Sequence, residues 1–170
     1  MMFPSQFKAL KRHLNLYRKT YRRFLTKAEK SDSKQIDAIA PELEKEVWKD
    51  IDCLACSNCC RKMTPTFTRE DIKRISAHFG QTPAEFKAQW LEQDKNNDWV
   101  NKIQPCQFLN LKTNMCNIYE IRPIDCAGFP HLSKKKFKEY AHIHKQNIEY
   151  CPATLSMMQK IVTKFEGVVK

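Results

Sequence analysis

The chain has 170 residues and a formal charge of +11 at pH 7, enough for one domain with a real core and too few for two comfortable ones. A mean hydropathy of −0.63, with no run near the roughly 20 apolar residues that a bilayer requires, excludes a transmembrane span. Three glycines and five valines, beside abundant Lys, Glu, Gln, Leu and Ala, exclude a sandwich or barrel and predict a mostly α protein.

Residues 1–30 hold nine Lys or Arg and one acid, Glu29, and so supply +8 of the formal charge. Phe7, Leu10, Leu14, Tyr17, Tyr21 and Phe24 recur every three or four positions with cations between them. That is the pattern of an amphipathic basic helix, begun at Pro4-Ser5. Residues 1–32 are therefore read as a basic helical extension and residues 33–170 as the folded domain. The leading reading of the helix is that it docks on the domain with its charges solvated. It competes with binding of nucleic-acid phosphates, helped by the Lys134-Lys135-Lys136 run, with an anionic lipid surface, and with a transit peptide. No continuous apolar run with a small-residue cleavage site opens the chain, which predicts a protein retained in the reducing cytosol.

Ser31, Asp32 and Ser33 break this pattern. A second helix is expected from about Lys34 to Lys49, with Ile36, Ile39, Leu43 and Val47 on one face and an interruption at Pro41. Cysteines follow at 53 to 60 in a stretch of no helical or strand period, which predicts a loop. Two helix starts come next. Thr68 precedes Arg69-Glu70-Asp71, and Thr82 precedes Pro83-Ala84-Glu85, each with a hydroxyl able to accept an amide hydrogen bond, and Glu85 in the reciprocal box position. The first should end at Gly80. Ile72, Ile75 and Phe79 mark its buried face; Phe86, Trp90 and Leu91 mark that of the second. Residues 101–131 are irregular, with Pro105, Pro123 and Pro130. A last helix opens at Cys151-Pro152 and carries Leu155, Met158, Ile161, Val162 and Phe165.

The chemistry lies in eight cysteines: Cys53, Cys56, Cys59 and Cys60 in one run, then Cys106, Cys116, Cys126 and Cys151. In a reducing compartment such thiols serve metals or catalysis in preference to disulfides. Three thiols at intervals of three residues let one segment turn around an ion, as in zinc and iron-sulfur sites alike. Consecutive side chains leave the backbone in different directions, so Cys59 and Cys60 are expected to serve different ions, which implies more than one site or a polynuclear cluster. Two four-cysteine zinc sites are the simplest arithmetic. An iron-sulfur cluster competes, because the run with a remote Cys151-Pro152 is similar to a bacterial ferredoxin pattern spread over a longer chain. A buried, unligated thiol is the bland alternative, strongest at Cys151.

The opening run, Thr68-Arg69-Glu70-Asp71-Ile72, Cys106-Gln107-Phe108-Leu109, Cys116-Asn117-Ile118-Tyr119 and Arg122-Pro123-Ile124-Asp125-Cys126-Ala127-Gly128-Phe129-Pro130 together resemble the YkgJ-type cysteine-cluster family over about residues 50–155. The resemblance implies a zinc- or iron-chelating domain and no established reaction. Ala127 departs from it, since members often carry a basic residue there. A more distant resemblance, over the cysteine pattern alone, is to bacterial flagellin lysine methylases.

His13, His78, His131, His142 and His144 are read as surface or core residues, and Arg122 and Asp125 either as groups that flank Cys126 closely enough to tune it or as part of a helix start at Pro123 with a surface arginine. No Gly-rich phosphate loop, Ser-His-Asp set or HExxH run is present, which leaves hydrolase and kinase readings without a basis. The expected protein is a mostly α, metal-stapled domain that binds zinc or iron through all eight cysteines. The alternatives are an iron-sulfur enzyme of group transfer or redox chemistry, and a nucleic-acid-associated module with structural metal sites.

Overall fold

The computed structural model describes residues 4–134 and 136–167, with side chains from residue 8 onward. Lys135 and the side chain of Phe7 lie outside the described residues. The chain is mostly α, and its contacts divide it into two compact units. One runs through Cys56 and resumes at Pro130; the other is Ser57–Phe129. The boundary expected at residue 32 does not coincide with this division.

In the first unit, α1 (Pro4–Lys30) packs along α8 (Phe137–Asn147) and α9 (Pro152–Glu166), while α2 (Lys34–Asp50) packs on α9. Leu14, Tyr21, Phe24, Leu25 and Ala28 of α1 are buried, so the apolar stripe is the docked face. The one acid of the segment is used: Glu29 pairs with Lys145 at 2.6 Å, and Arg18 reaches Glu149 at 3.0 Å. Pro41 does not interrupt α2. A proline inside a helix costs about 3 kcal/mol. Ile36, Leu43 and Val47 lie buried on both sides of it, at roughly 1.5–3 kcal/mol each, and outweigh the lost hydrogen bond. In α9 the expected stripe is buried except for Phe165, which is 39% exposed and rests against the ring of Phe24. Gly167 closes the helix at φ +63°. The segment that forms α8 carried no sequence reading.

His144 on α8 is 2% exposed and stacks on Phe137 with ring centroids 5.0 Å apart, and neither ring nitrogen has a hydrogen-bond partner. Burial, reinforced by His131 and His142, drops its pKa from the usual 6.5 to about 4. The unfolded chain takes up this proton near pH 6.5 and the folded chain only near pH 4. The neutral imidazole therefore favours the fold fully above pH 6.5, and that contribution is lost as the pH falls toward 4. At about 1.4 kcal/mol per pKa unit the loss is about 3 kcal/mol. Urea midpoints measured between these pH values should fall accordingly, and His144→Leu should flatten the profile. An unchanged slope in that variant would assign the acid sensitivity elsewhere.

The second unit is built on α5 (Arg69–His78) and α6 (Pro83–Trp90), each opened by a complete capping box. Thr82 and Glu85 form one as expected; in the other, Asp71 answers Thr68. Gly80, at φ +65°, ends α5. Phe79 is the cap residue there and stays 40% exposed, its ring against Phe86 and Phe108 and not in the core proper. Phe67, Ile72, Ile75, Phe86, Leu91, Phe108 and Ile118 form that core, with the rings of Phe86 and Phe108 nearly parallel. A short antiparallel hairpin, β1 (Leu91–Gln93) with β2 (Trp99–Asn101), follows α6. Its turn is closed by the Asp94 carboxylate accepting from the amides of Asn96 and Asp98.

Candidate metal centre

The cysteine run is not a loop. Asp52 accepts hydrogen bonds from the amides of Leu54 and Ala55, at 3.0 and 3.1 Å, and so caps a single turn, α3 (Cys53–Cys56). Ser57, in the left-handed region at φ 43°, stops that turn, and α4 (Asn58–Lys62) begins after it. Two short turns, the first capped by Asp52, arise where no periodicity is visible, because each is too short to show one.

Five of the eight cysteines belong to the second unit. Cys59 and Cys60 sit side by side on α4 with their sulfurs 3.9 Å apart. Four thiolates at about 2.3 Å from a tetrahedral zinc have sulfurs about 3.8 Å apart. Side-chain rotation thus brings the two sulfurs close despite the divergence of their Cα–Cβ bonds. The main-chain N–H of Cys106 donates to the carbonyl of Cys60 at 2.8 Å, drawing the 101–110 segment onto α4. An isolated bridge pairs Leu109 with Cys116, so Cys116 returns beside Cys106, and both border the aromatic core.

Cys126 is carried by α7 (Ile124–Gly128), a five-residue helix with no side-chain cap of its own. Two carboxylates hold it. Asp125 Oδ2 accepts from the amide of Thr66 at 3.1 Å, and Asp71 Oδ1 accepts from the amide of Ile124 at 3.1 Å. Asp71 is 1% exposed and also accepts from the amide and hydroxyl of Thr68, at 3.0 and 2.8 Å, and from Arg74 at 2.6 Å. Arg74 in turn donates to the carbonyl of Arg122 at 3.0 Å. Burial alone would raise the Asp71 carboxyl, but the bonds from Thr68, Arg74 and Ile124 reverse the sign and hold it below its ordinary value. The sequence showed Asp71 only as an acid in a helix's first turn; its hold on α7, 53 residues away, was not visible there.

The thiols are electrostatically joined. A hydrogen bond from Cys59 outweighs burial and, with the nearby Arg61 guanidinium, lowers Cys60 to about 7. Burial first, then the charge of Cys60, pushes up Cys106 and Cys116; Arg122 acts the other way on Cys116. Cys126 is pushed up furthest, by burial and then by Cys60, Cys106, Asp125 and Cys116. Asp125 thus acts on Cys126, the thiol it adjoins, whereas Arg122 acts with the opposite sign on Cys116. The Arg122 guanidinium lies 3.9 Å over the ring of Tyr119 and donates to that residue's carbonyl at 2.6 Å.

The other three cysteines belong to the first unit. Cys53 and Cys56 share the turn of α3; Cys151, buried at the start of α9, is raised by burial and further by the charge of Cys56. All eight thiols are free of disulfides. Among the described residues, no group of three or more Cys, His, Asp or Glu side chains is placed to hold a metal ion. The donor chemistry nevertheless fits a cation. Cys60, Cys106, Cys116 and Cys126 lie within each other's electrostatic reach; burial chiefly raises three of them, thiolate repulsion adds to it, and a divalent ion would offset both. Of the histidines, His142 is exposed and His144 lies in the helical core.

The architecture is mostly helical and the chain carries eight cysteines, five of them in one unit. The chain belongs to the CxxCxxCC family, described as a putative zinc- or iron-chelating domain, whose model matches residues 52–151. It is also similar to the uncharacterized protein MJ0661 of Methanocaldococcus jannaschii, at 28% identity over 83 residues, 46% of this chain and 43% of that one. The chain thus spans less than half the length of that relative. No solved structure matches. The family supports metal binding.

Proposed function

We propose that the protein is a metal-stapled binding module in which Cys60, Cys106, Cys116 and Cys126 hold one zinc ion. The observation that carries this reading is that those four thiols belong to one compact unit, in which the main chain ties Cys106 to Cys60 and bridges Leu109 to Cys116. Zinc suits four thiolates without a preferred d-electron geometry, and a closed sphere of four leaves no position for substrate, which is the mark of a structural site. Cys59, beside Cys60, is a fifth donor able to exchange with it. Cys53, Cys56 and Cys151 form a separate group, which in this reading does not contribute to the first ion. A reducing cytosol, where thiols stay available, is the compartment it requires.

Elemental analysis of protein purified without oxygen and without a metal-binding tag tests it, read with the visible spectrum. About one zinc per chain or more, with no colour, is the expected result. Cys60→Ser and Cys126→Ser should each release that zinc, whereas Cys151→Ser should retain it. Iron with acid-labile sulfide and a brown chromophore would replace zinc by an iron-sulfur cluster and reopen an enzymatic role. Metal-free protein would overturn metal binding itself.

A further inference from the structure

The exposed face of α1 carries an ordered line of positive charge that the packing of the helix does not need. At 100° per residue, Lys8, Arg12, Lys19, Arg23 and Lys30 fall within a sector of about 60° and span about 33 Å along the axis. All five are exposed, and among the described residues none enters an ion pair. The sector lies about 180° from the buried Leu14, Tyr21, Phe24, Leu25 and Ala28. Lys8 and Arg12, like Lys19 and Arg23, are like charges four residues apart, a spacing that disfavours a helix. The line therefore repels itself on a surface that a polyanion would relieve.

Two features identify the polyanion. An amphipathic helix that enters a bilayer inserts its apolar face, and here that face is already covered by α8 and α9. Single-stranded nucleic acid is held by stacking its bases on exposed aromatic rings, and the described exposed face of α1 carries none, its one large exposed apolar side chain being Leu16. A rigid line of cations about 33 Å long matches one turn of a duplex, about 34 Å. We propose that the solvent face of α1 binds the phosphate backbone of duplex nucleic acid without reading its bases.

The test is fluorescence anisotropy of a labelled duplex of arbitrary sequence, about 20 base pairs long, with full-length protein as purified, from about 50 to about 300 mM KCl. Five phosphate contacts give a slope of log K against log salt of about −4.5; the triple substitution Arg12→Gln, Lys19→Gln, Arg23→Gln should bring it to about −2 and weaken binding at least roughly tenfold. Arg12→Lys with Arg23→Lys keeps the charge and should keep the slope. Lys73→Gln, Lys95→Gln, Lys112→Gln removes the same net charge from exposed positions of the second unit and should change neither quantity. If the first triple variant does not fold, Lys19→Gln alone should lower the slope by about one. Equal losses in both triple variants would overturn the proposal in favour of net charge alone. So would failure to bind at low salt, or binding only to phosphatidylserine-containing vesicles.

Discussion

Removing the metal with a chelator is expected to lower the unfolding midpoint of the 57–129 unit by at least about 20 °C, a larger effect than any single substitution. Zinc binding is worth about 10–16 kcal/mol in peptides that have no core of their own, because binding and folding are then one event. This unit has a core in Phe67, Ile72, Ile75, Phe86, Leu91, Phe108 and Ile118, so only part of that energy becomes stability. A share on the order of 5 kcal/mol corresponds to about 20 °C or more in a unit of this size. The segments that carry Cys106, Cys116 and Cys126 have few regular backbone pairings, and they should exchange their amides first. Trp90 and Trp99 belong to this unit and Trp48 to the other, so fluorescence together with helical ellipticity separates the two responses. If the metal were shown to leave and the midpoint did not move, the ion would have no structural role.

Asp71→Ala is expected to cost about 3–5 kcal/mol, the range for stripping one partner from a buried ionic and hydrogen-bonded group. The substitution leaves the amides of Thr68 and Ile124 without their acceptor and Arg74 without its counter-ion. Its second consequence is functional, because α7 loses one of its two carboxylate anchors and Cys126 its fixed position. Metal content should therefore fall along with stability. Thr68→Ala removes the cap and one hydroxyl bond to Asp71 but leaves the bonds to Ile124 and Arg74, and should cost about 1 kcal/mol with metal content unchanged. Equal effects from the two substitutions would reduce Asp71 to an ordinary capping residue. The pH dependence has a definite sign: the carboxyl is held low, so its contribution is present above its unfolded pKa near 3.8 and is lost as the pH falls through the folded value. His144 has already released its contribution between pH 6.5 and 4, so the helical unit should soften in acid before the cysteine-rich one.

Much of the fold was legible in the sequence because the forces that decide it are local. The apolar period of α1, the boxes at Thr68 and Thr82, the stop at Gly80 and the opening of α9 at Cys151-Pro152 all concern residues within four positions of each other. Metal binding was legible too, since three thiols at intervals of three residues recur in zinc and iron-sulfur sites. Three features were decided only in the tertiary structure. A main-chain bond ties Cys106 to Cys60, a bridge pairs Leu109 with Cys116, and Asp71 holds the Ile124 end of the helix that carries Cys126. The approach of Cys59 to Cys60 depends on side-chain rotation, which a pattern of Cα positions does not encode. Passage of α2 through Pro41 depends on burial against α9, which outweighs what the proline costs locally. Sequence periodicity reports which face of an element is apolar; which distant residues that face brings together is decided by packing.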